Sequence, residues 1–102
     1  MFVHIVFWRI RDGVDGRSKA ESAAEMQRRF AELRPQIDGL TRLDIGVDLL
    51  RTDASADVAL YSEFTSRAAY DAYVPHPAHQ ELVAYIRRLA TERHVADYEL
   101  PE

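Results

Sequence analysis

The sequence predicts an α+β domain built on an antiparallel sheet and paired with a second copy of itself. Two observations carry this. Residues 2–11 are apolar on both faces of a strand, which one covering layer cannot satisfy. Strand-period and helix-period segments then alternate in an order that returns the chain antiparallel, with no linker, repeat or low-complexity stretch between them. One domain over residues 1–102 is expected.

Each element follows from local pattern. Residues 2–11 are rich in Val, Ile, Phe and Trp and stop at Asp12-Gly13, a turn signal. His4, Val6, Trp8 and Ile10 share one face, and Val3, Ile5 and Phe7 the other. Residues 18–34 read as an amphipathic helix with Ala23, Met26, Phe30 and Leu33 on one stripe. Ser18 and Glu21 have the spacing of a capping box. Residues 40–50 read as the second strand, with Leu43, Ile45, Val47 and Leu49 on one face. Residues 57–64 read as the third, with Val58, Leu60, Ser62 and Phe64 on one face. Thr65 or Ser66 caps a helix over 67–73, and Pro75-His76-Pro77 interrupts it. A further helix starts near Pro77 and runs to about Ala90, and residues 93–100 form the last strand. The order β-α-β-β-α-α-β is that of a ferredoxin-like split βαβ fold, with helices on one sheet face. A second copy, sheet against sheet, is the simplest cover for the other.

Composition narrows the function. Seventeen acidic against 13 basic residues leave a net charge of −4, which speaks against nucleic acid or an anionic membrane as partner. The absence of cysteine excludes disulfides, thiolate catalysis and thiolate metal sites. The opening Met1-Phe2-Val3-His4-Ile5 has no basic n-region and too short an apolar run for a signal peptide or membrane span, so a cytoplasmic location is expected.

The residues that can move protons lie close together. Tyr73, His76 and His79 are spaced by three around the proline break. A phenol and an imidazole are natural acid–base partners near neutral pH, and a carboxylate that holds the imidazole completes such a set. Asp97, on the last strand, is the candidate orienter of His79. An i, i+3 histidine pair beside a proline is weak as a metal site, and none is expected.

Three stretches together resemble the Dabb family of stress-responsive dimeric α+β barrel domains. They are His4-Ile5-Val6-Phe7-Trp8, the run from Tyr61-Ser62-Glu63-Phe64 to Tyr73-Val74-Pro75-His76-Pro77-Ala78-His79, and Val95-Ala96-Asp97-Tyr98-Glu99. The resemblance implies a ferredoxin-like fold and a homodimer whose sheets form a barrel. One branch of the family resembles polyketide cyclases that need no cofactor and close rings by an aldol-type step. There a histidine is the general base, an aspartate orients it and a tyrosine polarises the substrate. The matching positions are His79, Asp97 and Tyr73, with His4 matching a pocket histidine.

The combined expectation is a homodimer binding a small, largely apolar carbonyl compound without cofactor or metal. His79, Tyr73 and Asp97 are its catalytic candidates, and His4, Val6, Trp8, Leu60 and His76 its substrate-binding candidates. The alternatives are a non-catalytic stress-associated dimer, in which His79 and Asp97 are structural, and a cofactor-free monooxygenase of the dimeric barrel type.

Overall fold

The computed structural model describes residues 1–101; Glu102, the last residue of the expected domain, lies outside them. In chain order the elements are β1 (Phe2–Ile10), α1 (Lys19–Leu33), β2 (Leu40–Val47), β3 (Val58–Phe64), α2 (Arg67–Tyr73), α3 (Pro77–Leu89) and β4 (Ala90–Glu99). The strands form a four-stranded sheet in the order β2-β3-β1-β4, antiparallel at every pairing. This is the predicted ferredoxin-like arrangement. No helix of the described residues is long and apolar enough to cross a membrane.

Caps start the helices where the sequence places them. The Ser18 hydroxyl accepts from the Glu21 amide, and the Glu21 carboxylate accepts from the Ser18 amide, at 3.2 and 3.0 Å. These bonds to the charged form hold the Glu21 carboxyl below its ordinary value. The Ser66 hydroxyl accepts from the Ala69 amide and starts α2. Pro77 occupies the first turn of α3, where its missing N–H costs nothing.

The strands differ from expectation at their ends. β2 stops at Val47, three residues early, where the Asp48 carboxylate accepts from the Arg51 amide and the chain turns away from β3. Leu49, expected in line with Val47, stands 88% exposed on the resulting loop. β4 begins at Ala90, three residues early, because that residue is both the C-cap of α3 and extended backbone.

Alternation divides the sheet faces. Phe2, His4, Val6, Trp8 and Ile10 of β1 are buried, as are Val58, Leu60, Ser62 and Phe64 of β3. The apolar ones among them, all but His4 and Ser62, meet Met26, Phe30 and Leu33 of α1 and Leu82, Ile86 and Leu89 of α3 in one core. Each such side chain contributes about 1.5–3 kcal/mol by leaving water. On the opposite face, Val3 lies in register between Tyr98 and Glu63 and is already buried. Phe7 and Tyr98 of that face remain 44% and 42% exposed.

One glycine sets the position of α2. Gly39 has φ +79°, and a β-carbon there would lie 2.7 Å from the Ala69 methyl. Only glycine lets the start of β2 pass this close to the helix.

Candidate functional site

Between the inner face of β1 and helices α2 and α3 lies a cavity of about 270 Å³. Six expected residues line it: His4, Val6, Trp8, Leu60, Tyr73 and His79. The pleat of β1 sends His4, Val6 and Trp8 to this side together. Beyond Ala90, β4 is exposed along its length, so the cavity opens along that strand.

The two imidazoles are held differently from the expected arrangement. Asp97 does not orient His79. Antiparallel register places Asp97 directly opposite His4, and His4 Nδ1 lies 2.5 Å from the Asp97 carboxylate. Since a carboxylate only accepts, His4 Nδ1 donates. The His4 side chain is 6% exposed and that of Asp97 36%.

His79 Nδ1 instead lies 2.9 Å from the Val74 carbonyl, which Gln80 Nε2 also reaches at 2.7 Å. A carbonyl can only accept, so Nδ1 carries the proton and Nε2 carries the lone pair. The geometry of the Val74-Pro75-His76 break therefore performs the tautomer-setting role expected of Asp97. Burial pushes the His79 imidazole below its ordinary value, against a smaller opposing effect of the Val74 bond. His79 is thus neutral near pH 7, as a proton acceptor must be.

Tyr73 is 3% exposed and its ring lies 4.0 Å from that of His79. Burial pushes its phenol well above the ordinary range, so it stays protonated and acts only as a neutral hydroxyl. Tyr70 is a site residue that sequence reasoning missed. It lies one turn before Tyr73 on α2, stacks on Phe2 at 4.7 Å and sits 4.9 Å from His4. Burial, then the negative charge of Asp97, raises its phenol too. The i, i+3 spacing of two tyrosines was the available signal.

His76 is not among the residues lining this cavity. Its Nδ1 accepts from the Ala78 amide at 3.1 Å and caps α3. His94 is exposed on the opposite sheet face beside Phe7. The indole nitrogen of Trp8, a buried lining residue, has no hydrogen-bond partner among the described residues. Among those residues no group of three or more His, Asp or Glu side chains is placed to hold a metal ion.

The arrangement therefore presents two imidazoles, each with Nδ1 engaged and Nε2 uncommitted in the hydrogen bonds described, and two protonated phenols. It suits proton transfer beside a carbonyl.

Comparison with known proteins places this geometry in a family. Residues 2–100 match the family model of the stress responsive A/B barrel domain, Dabb. An uncharacterized protein of Streptomyces coelicolor is 33% identical over 99 residues, covering 97% of this chain and 99% of that one. Among solved structures, a dimeric protein of unknown function with a ferredoxin-like fold from Bacteroides fragilis superposes with a TM-score of 0.83 at 24% identity, covering 97% of this chain and 95% of that one. The hydroxynitrile lyase of Passiflora edulis superposes with a TM-score of 0.74 at 18% identity, covering 99% and 94%. At these identities the structural likeness concerns the fold. The family match spans nearly the whole chain, and the chain belongs to the stress-responsive A/B barrel domain (Dabb) family.

Proposed function

We propose that this chain is a cytoplasmic homodimer that binds a small, largely apolar carbonyl compound in the β1–α2–α3 cavity and moves a proton beside that carbonyl. The observation that carries this reading is His79: a neutral imidazole at an apolar cavity, with Nδ1 tied to Val74 and Nε2 left to accept a proton. In the catalytic step Nε2 takes the proton from the carbon next to the carbonyl. The electron pair of that C–H bond moves onto the carbonyl oxygen, where the Tyr73 phenol donates a hydrogen bond. Either the imidazolium returns the proton to that carbon, or the carbon attacks a second carbonyl and the imidazolium gives its proton to the alkoxide that forms, completing an aldol closure. His4, paired with Asp97, is a second acid–base group on the same cavity. An open cavity lined by His4, Tyr73 and His79 favours this reading over one in which these residues only pack.

Deuterium exchange at the α-carbons of 4-phenyl-2-butanone in D2O, followed by NMR, tests it. The protein accelerates exchange over buffer, and His79→Ala lowers that acceleration by about 10²–10⁴-fold. Exchange at the wild-type rate in His79→Ala sinks the mechanism.

A further inference from the structure

We infer that the ligand of this cavity carries a carboxylate, which Arg93, assisted by Arg87, holds at the mouth while the carbonyl reaches His79. This rests on the reading of the cavity as a carbonyl site and adds the second recognition element of its ligand.

The argument starts from charge. The chain has 17 acidic and 13 basic residues, yet the cavity lining includes Arg87 and Arg93 and no carboxylate. Neither arginine has a hydrogen-bond or ion-pair partner among the described residues. Their neighbours do: Arg88 pairs with Asp15 at 2.6 Å, and Arg9 with Glu92 at 3.5 Å. Paired guanidinium groups are the local habit on this surface, and the two at the mouth depart from it.

Position follows from register. Arg93 lies opposite Trp8 on the inner face of β4, the face that also carries Asp97 four residues on. At about 3.3 Å per residue, Arg93 and Asp97 are roughly 13 Å apart along the strand. Arg93 nonetheless lines the same cavity as Tyr70 and His79. Arg87 approaches from the last turn of α3. The fork of a guanidinium matches the two oxygens of a carboxylate, which it binds in paired hydrogen bonds. A cavity of about 270 Å³ holds about nine water volumes, enough for one ring with a short chain. The ligand class is thus a small, largely apolar keto acid, its acid at Arg93 and its carbonyl at His79.

The test compares 4-phenylbutanoate with 4-phenylbutanamide, equal in shape and different in charge. Trp8 is the single tryptophan and lines the cavity, so its fluorescence reports binding. The expected result is that the wild-type protein binds the carboxylate about ten- to a hundredfold tighter than the amide. Arg93→Gln brings the carboxylate down to the affinity of the amide, and Arg93→Lys recovers part of the difference. Equal affinities in the wild type, an undiminished preference in Arg93→Gln, or no binding of either probe at millimolar concentration each overturn the inference. The proton-transfer reading fails separately: it is lost if His79→Ala exchanges ketone protons at the wild-type rate, whatever the carboxylate preference.

Discussion

The ring of Tyr73 lies 4.0 Å from the ring of His79 at an interplanar angle of 33°, one on the last turn of α2 and the other on the first turns of α3. The pair spans the proline break and ties the two helices together. Burial of His79 beside the Tyr73 ring favours its neutral form.

That preference makes stability depend on pH. The folded chain takes up the His79 proton at lower pH than the unfolded chain, whose imidazole titrates near 6.5. Below about pH 6.5 the unfolded state binds more protons at this group, so stability falls as pH falls through the folded value. The penalty is absent above that range. Urea midpoints measured between about pH 7.5 and about pH 5 should fall more steeply for the wild type than for His79→Gln. Parallel slopes would show that burial of His79 does not control this loss.

Asp97→Ala removes the acceptor of the buried His4 N–H. The expected cost is about 1–3 kcal/mol, toward the lower end because water reaches the partly exposed Asp97 position. Asp97→Asn keeps an acceptor and should lose less. Chemical denaturation of both variants checks the order.

His76→Ala removes the cap of α3. By analogy with other cap replacements it costs about 0.5–2 kcal/mol. Exchange of 4-phenyl-2-butanone protons should keep its wild-type rate, because His76 is not a lining residue. A collapse of exchange in a folded His76→Ala protein would return this histidine to the site.

Phe7→Glu places a charge on the exposed apolar face of the sheet. Light scattering should report a dimer for the wild type at micromolar concentration and a monomer for the variant. A wild-type monomer at that concentration refutes the homodimer.

Much of the fold was legible because its signals are local. The Ser18–Glu21 box, the proline break and the two apolar faces of β1 each lie within a few residues and appear where expected. The candidate site was legible in membership and not in pairing. Tyr73, His79, His4 and Trp8 do share a cavity. Which imidazole meets Asp97 depends on the register of β1 against β4, a long-range alignment with an irregularity at Arg9 and Ile10 that no short window contains. The capping role of His76 was hidden for another reason: histidine is an uncommon cap, and its side-chain bond is visible only once α3 is built. Tyr70 was missed because its place beside His4 and Phe2 depends on how α2 packs against β1, which no short window of sequence contains.

His4 and Asp97 are 93 residues apart in sequence and adjacent in space. Loop closure of that length comes late in folding, after the local helices and the β2–β3 hairpin have had the opportunity to form. During synthesis this pair cannot exist until Asp97 has left the ribosome, so a nascent chain can hold much of its core while lacking this acid–base pair. A fragment ending before β4 is in the same position. Joining the strands that carry these two residues by circular permutation would make this contact local in sequence and should speed its formation.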